Sequence, residues 1–145
     1  MYFHYGPARI SGGTDAVGEA GPSSHAVYTF AEGYTNTNFS EYLTLQNPNT
    51  TAETVAITLF ADSTLTQEML QLQPHSRTTV GINGLVVPMA TAYPTNPSYV
   101  GFEVSMDIQV VNAGGGSGTI VAERPLYFNF FGDPGGTDVI GYTGN

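Results

Sequence analysis

Hydrophobic and polar residues alternate along much of the chain, which is the pattern of β-strands with one buried and one solvated face. The longest unbroken alternation runs over residues 102–110, from Phe102 to Val110. The same period of two occurs at 42–46, 55–59 and 79–82. Residues 69–72 and 119–122 are predicted to be shorter strands, and residues 126–131 a closing aromatic strand. Asn, Pro, Gly and Asp cluster between these segments, as is typical of turns.

No window of helical length carries an apolar stripe of period 3.6. About seven short strands at roughly ten-residue spacing predict an all-β fold, an immunoglobulin-like antiparallel β-sandwich, with a β-barrel as the alternative. Residues 83–98 contain three Pro and are expected to form a long connection. The inward face is predicted to carry Phe102, Val104, Met106, Ile108 and Val110 together with Leu43, Leu45, Val55, Ile57 and Leu59.

The beginning of the chain repeats its end. Each copy has a Tyr-Phe pair, then Gly-Gly-Thr-Asp, then a Gly three residues on. The matching segments are 1–7 with 126–132 and 12–18 with 135–141. We interpret the match as a duplication of the closing strand and turn, since internal self-similarity is the mark of repeat proteins. The chain then divides into an extended arm at 1–21, a linker at 22–27 and a β-sandwich unit at 28–145, and we expect it to come from a longer array.

The composition of the chain argues against several classes of function. The chain has 12 acidic and 3 basic residues, the latter all Arg, and a formal net charge of −9. Such a surface repels phosphate backbones and anionic membranes, so we expect neither nucleic-acid binding nor membrane insertion. Without Cys, disulfides and thiolate chemistry are excluded. Arg124 interrupts the apolar approach to the closing strand and is expected to form a structural ion pair with Glu32 or Glu103.

Candidate catalytic and metal-binding residues are sparse. His75 stands beside Ser76, but neighbours on a strand face opposite sides, so this pair is interpreted as a turn before a strand rather than part of a hydrolase triad. Residues 133–138 are predicted to form a Gly-rich turn in which Asp138, or Asp15 in the first copy, hydrogen-bonds the backbone. We therefore predict no catalytic residue, no metal site and no cofactor, and a protein that is not an enzyme.

Tyrosine is the residue type that leaves a binding function open. The chain has 9 Tyr and no Trp. Exposed Tyr rings can stack on sugar rings, which makes Tyr34 and Tyr93 candidate glycan contacts and Tyr28 a further possibility. The competing interpretation is that these rings are half-buried sandwich edges with their hydroxyls in water.

Several segments together resemble a known family. They are 28–35, 41–49, 75–80, 121–128 and 135–141. These segments are similar to the tandem β-sandwich repeats of large secreted bacterial cell-surface proteins, and the resemblance covers nearly the whole chain. In that family a closing aromatic strand and Gly-Gly turn lead through a short linker into Phe-Ala-Glu-Gly-Tyr-Thr, as residues 1–35 do here, although Tyr28 replaces the usual Trp. The resemblance implies an extracellular, cell-surface location, a structural or adhesive role and no assigned catalytic residues.

We therefore predict a structural module of an extracellular surface array or filament that assembles head-to-tail with neighbouring copies of itself. A strand with an aromatic face and unpaired backbone groups is drawn to another sheet edge, so the N-terminal arm is the expected assembling element. Its residues are Met1, Tyr2, Phe3, His4 and Tyr5. The alternative is a glycan-binding adhesion module that uses the loops bearing Tyr34 and Tyr93.

Overall fold

The alternating pattern corresponds to two antiparallel β-sheets packed face to face in the computed structural model of the chain. The structure describes residues 2–5, 10–13, 24–61, 64–86, 101–112, 118–130 and 132–144. Its first strands are β1 (Tyr2–Tyr5), β2 (Ile10–Gly13), β3 (Val27–Phe30), β4 (Tyr34–Thr35), β5 (Phe39–Asn47) and β6 (Glu53–Ala61). They are followed by β7 (Thr64–Leu72), β8 (Ser76–Gly81), helix α1 (Ile82–Val86), β9 (Phe102–Val110), β10 (Val121–Phe130) and β11 (Asp133–Ile140).

The two large sheets form the sandwich. One has the strand order β11-β10-β5-β8, and the other has the order β3-β9-β6-β7 with β4 paired to β9. Isolated bridges from His25 to Ile120 and from Thr29 to Tyr142 join the sheets along one side. The predicted all-β sandwich is confirmed. Its two sheets contain nine strands among the described residues, instead of about seven. The immunoglobulin-like assignment stays a prediction.

The core lies between the sheets and follows the predicted parity. Phe102, Val104, Met106 and Ile108 of β9 are buried, and Val110 packs half-buried against them. The predicted partners on β5 and β6 are buried as well, and β9 pairs directly with β6 through Ile108 and Ile57. The polar residues between them, such as Glu103, Asp107 and Gln109, are exposed. The hydrophobic pattern therefore predicts correctly which face of the central strands is buried.

One long strand, β10, replaces two predicted short ones. The predicted strands 119–122 and 126–131 are separated by Glu123, Arg124 and Pro125, and Pro125 has no N–H to donate to a ladder. In the structure β10 continues through Pro125, which pairs with Asp138 of β11. The ladder to β5 is interrupted only at Arg124 and Pro125. The proline thus breaks the pairing on one edge of the strand and leaves the strand itself intact.

The predicted Gly-rich turn at 133–138 is wrong, because these residues form β11 and pair with β10. The reversal lies just before them, where Gly132 has a φ of 90°. Gly135 pairs with Phe128, and a Cβ on Gly135 would overlap the Phe128 ring. An aromatic ring that lies over a cross-strand glycine stabilises the pair, so glycine serves ring packing here and not a turn.

Helix α1 completes the edge of β5 where β8 ends. The predicted strand at 79–82 stops at Gly81, and Ile82 begins the helix. The Asn83 side chain accepts a hydrogen bond from the Glu41 N–H (2.8 Å) and donates one to the Phe39 carbonyl (2.8 Å). One side-chain amide thereby satisfies two backbone groups that a further residue of β8 would otherwise pair.

A buried polar network holds the loops at the opposite end of the sandwich. Asn47, at the end of β5, places its Nδ2 within 3.2 Å of three backbone oxygens. They belong to Thr51, Leu72 and Gln73. Buried Glu53 accepts hydrogen bonds from the side chains of Asn49 and Asn112. Because every strong acceptor here has a donor, burial of these groups is tolerated.

Replacing Ile108 with Ala should lower the free energy of unfolding by about 2–5 kcal/mol, because a fully buried side chain leaves a cavity between β9 and β6. Chemical denaturation measures this loss. The exposed neighbour variant Gln109→Ala is the control and should change stability by less than about 0.5 kcal/mol. Equal effects for the two variants would contradict the assigned inward face.

Candidate functional site

The predicted assembly arm forms a hairpin rather than a lone strand. β1 and β2 pair antiparallel over four residues each, from Tyr2 opposite Gly13 to Tyr5 opposite Ile10. Met1 lies outside the described residues. The hairpin therefore has two outer edges, one on β1 and one on β2, and neither is paired with another strand among the described residues.

The β1–β2 hairpin reproduces the pairing of the closing β10–β11 hairpin. In both, a Tyr faces the second Gly and a Phe faces the first Gly of Gly-Gly-Thr-Asp. The pairs are Tyr2–Gly13 and Phe3–Gly12 in the arm, and Tyr127–Gly136 and Phe128–Gly135 in the closing hairpin. The two residues by which the copies differ in length fall in the hairpin loops, since Tyr5 pairs with Ile10 whereas Phe130 pairs with Asp133. The repeated sequence thus corresponds to a repeated supersecondary unit.

The surroundings of the two hairpins differ. β10 pairs with β11 on one edge and with β5 on the other, through pairs that include Tyr127 with Ser40. β1 belongs to a separate two-stranded sheet, and β2 lies beside β11 without a ladder between them among the described residues. In the arm, the strand equivalent to β10 lacks a counterpart of β5.

The three Tyr residues considered as glycan contacts lie in different surroundings. Tyr28 is fully buried, and its hydroxyl donates a 2.7 Å hydrogen bond to the Ile120 carbonyl, so it is a core residue. Tyr93 lies outside the described residues. Tyr34 is half-buried and packs edge-to-face on Phe39, with 5.3 Å between ring centroids.

Tyr34 lines a groove of about 500 Å³ on the outer face of the sheet that contains β9. Its register partner is Glu103, and Phe60 pairs with Ser105 one step further along the sheet. Glu32 closes the groove at the end of β3. Two aromatic rings, two carboxylates and a hydroxyl therefore converge on one open surface. Apolar rings beside convergent polar groups are what small-ligand sites need.

A second pocket of about 500 Å³ lies on the side where β3 meets β11, and it shares Glu32 with the groove. Phe30, Val139, Ile140 and Tyr142 supply apolar walls, and Arg124 also lines it. Arg124 is 8% exposed, and its guanidinium carbon lies 6.0 Å from the Phe30 ring centroid.

Arg124 pairs with Glu41, so the expected pairing with Glu32 or Glu103 is wrong. The Arg124 Nε lies 3.7 Å from the Glu41 Oε1. The cause is register: Leu126 of β10 faces Glu41, and Arg124, two residues away on the same face, is its diagonal neighbour. Glu41 also shares strand parity with Leu43 and Leu45, a signal in the sequence that points to its burial.

Burial dominates the electrostatics of this pair. Glu41 is fully buried, and neither carboxyl oxygen has a hydrogen-bond partner in the described chain. Burial raises the pKa of the Glu41 carboxyl from 4.5 to about 7, although the charge of Arg124 opposes the rise. The carboxyl therefore changes its protonation state near neutral pH.

Comparisons with known proteins support the fold. No protein family model matches the chain, and a search of curated proteins finds no matching relative. The crystal structure of Thermotoga maritima 1070 superposes with a TM-score of 0.63 at 14% sequence identity, covering 82% of this chain and 94% of that chain. The Anabaena sensory rhodopsin transducer gives a TM-score of 0.45 at 16% identity, covering 71% of this chain and 97% of that one. The first likeness supports the fold, and the second is too distant to carry an argument.

The described residues contain no helix that is both long and apolar enough to cross a membrane. In the same residues, His, Asp and Glu side chains do not come together in groups of three or more that could hold a metal ion.

Stability should fall as the pH rises from about 4.5 to about 7, because the unfolded chain releases the Glu41 proton that the folded chain keeps. Comparing the wild type with Glu41→Gln isolates this contribution, since Gln cannot ionise. Between pH 5 and pH 7.5 the wild type should lose about 1–3 kcal/mol more than the variant, measured by chemical denaturation.

The exposed Glu103→Gln is the matched control, and it should keep the pH dependence of the wild type. A Glu41→Gln variant with the same pH dependence as the wild type would show that Glu41 does not titrate in this range.

Proposed function

We propose that this protein is a structural module of an extracellular array or filament, in which sandwich units associate head-to-tail through their N-terminal arms. The observation that carries the proposal is the common register of the β1–β2 and β10–β11 hairpins. A closing hairpin that precedes a complete sandwich is what a chain of repeated units contains at each junction.

Strand pairing supplies the physical drive. An open strand edge leaves N–H and C=O groups that only water or another strand can satisfy. Three of the four β1 residues are aromatic, so pairing would also remove apolar surface from water. Within the unit the β5 edge is already occupied by β10, so the arm needs an edge of a neighbouring copy.

Composition is compatible with an exposed polymer. The chain has neither Lys nor Cys, the two side chains most open to covalent modification, and only 10% of its residues are charged. The resemblance to repeats of secreted bacterial surface proteins supports the extracellular location in this proposal.

Deleting residues 1–21 should abolish self-association, because the arm supplies the pairing strand. Light scattering coupled to size-exclusion chromatography measures the mass of both proteins. The full-length double variant Tyr2→Ser with Phe3→Ser should also weaken assembly, whereas Tyr142→Ser, at a 71% exposed site outside the arm, should not. A truncated protein that polymerises like the full chain would refute the proposal.

A second function, glycan binding, is favoured by the groove at Tyr34. Its open shape and the convergence of Tyr34 and Phe60 with Glu32, Glu103 and Ser105 fit a sugar ring stacked on aromatic surface with its hydroxyls hydrogen-bonded.

Glycan-array and polysaccharide pull-down binding test this function. Phe60→Ala and Tyr34→Ala should weaken binding at least about tenfold, or 1.4 kcal/mol, and Tyr93→Ala tests the other predicted contact. Tyr142→Ala, an exposed Tyr outside the groove, is the control, and melting temperatures identify any loss of folding in Tyr34→Ala. Binding that survives both groove variants would place the glycan elsewhere.

A further inference from the structure

The sandwich offers four outer edges, and they are not equivalent. β3 is only four residues long and is bridged to Tyr142 on its far side. β11 contains Pro134 and has the chain's own β2 beside it. β8 has six residues, carries the exposed Arg77 and ends at helix α1. Each of these edges is short, bridged, covered or charged, and these are the features that discourage strand addition.

β7 differs from the other edges. It has nine residues, pairs with β6 alone among the described strands, and contains no Pro, no basic residue and one charge, Glu68. Leu65 and Met69 on this strand are 59% and 57% exposed. Leu65 is paired with Phe60, which is itself 38% exposed, so the apolar surface extends from the edge onto the sheet. Long, flat edges with exposed apolar residues are sites where another strand adds.

We propose that β7 is the edge that receives the β1–β2 hairpin of a second copy of this chain, an inference that rests on the assembly role of the arm proposed above. The hairpin brings the matching feature, a β1 edge on which the described chain places no other strand. Pairing β1 with β7 would extend the five-stranded receiving sheet into the hairpin and satisfy both rows of backbone groups.

Charge favours this occupant. The 12 acidic residues all lie after residue 13, whereas residues 1–13 contain Arg9 and no Asp or Glu. The hairpin segment 1–13 therefore carries a formal charge of +1 from Arg9, within a chain of net charge −9 and an arm that is acidic beyond it at Asp15 and Glu19. Opposite charge on the hairpin and on the body of a second copy favours their contact. Glu68 places an acidic group on the receiving strand itself.

Geometry favours an open chain of copies. β2 lies beside β11, and the bridge from Thr29 to Tyr142 puts β11 and β3 on the same side of the sandwich. β7 lies next to β8 on the other side. The donating hairpin and the receiving edge thus occupy opposite sides of one molecule. Such a contact is heterologous and propagates instead of closing as a symmetric dimer.

The absence of Cys makes site-directed cross-linking a clean test. A protein carrying only His4→Cys is mixed with one carrying only Met69→Cys, and disulfide-linked dimers are measured on a non-reducing gel after mild oxidation. The yield should exceed that of His4→Cys mixed with Tyr142→Cys at least tenfold, because Tyr142 lies on the opposite side. Equal yields, or a larger yield with Tyr142→Cys, would overturn the proposal.

A second variant tests the edge without cross-linking. Leu65→Lys with Met69→Lys changes two exposed residues, so the fold should be kept, and self-association should drop to that of the protein lacking residues 1–21. Val27→Lys with Ala31→Lys adds the same charge at exposed positions on and just after β3, at the opposite edge of the same sheet, and should assemble like the wild type. If deletion of the arm abolishes assembly but the β7 variant assembles normally, only the choice of edge is wrong. If assembly survives deletion of the arm, the proposed function fails first.

Discussion

The pairing of β10 with β5 is the contact on which the rest of the structure depends. β10 is the only described strand that joins the closing hairpin to the body of its sheet, since β11 pairs with β10 alone. The same ladder places Leu126 opposite Glu41 and thereby brings Arg124 next to the buried carboxyl. It also occupies the β5 edge, so among the described residues the arm's copy of the hairpin has no strand equivalent to β5 beside it.

Buried polar groups have hydrogen-bond partners at one end of the sandwich and lack some of them nearer the other end, among the described residues. At one end the Asn47 and Glu53 network gives each acceptor a donor, and the loops there are held by side chains. Nearer the other end Glu41 and Arg124 are buried with a 3.7 Å contact and unsatisfied hydrogen-bonding atoms in the described chain. Desolvation of such a pair costs more than its attraction returns unless further hydrogen bonds are made. Because burial raises the pKa of the Glu41 carboxyl to about 7, the charge of this region changes near neutral pH, and Arg124 also lines the second surface pocket.

The arrangement of edges connects stability with assembly. Three outer edges are shortened, bridged, covered or charged, and one long edge is left with exposed Leu and Met side chains. An unguarded edge is a risk of uncontrolled aggregation in a monomer. In the proposed assembly the same edge is the receiving contact, and the hairpin segment 1–13, with Arg9 and no acidic residue, meets an edge that carries Glu68.

The sequence by itself determined the fold class, the inward face and the repeat. Strict alternation from Phe102 to Val110 fixes which face of the strand is buried, so local pattern and tertiary packing agree there. Tertiary structure decided what pattern could not. Gly135 and Gly136 are strand residues because they pair with β10. Arg124 contacts Glu41 because a diagonal cross-strand contact depends on the register between segments about 80 residues apart. The groove at Tyr34 likewise combines residues from β4, β6 and β9, and their convergence exists only once the sheet has formed.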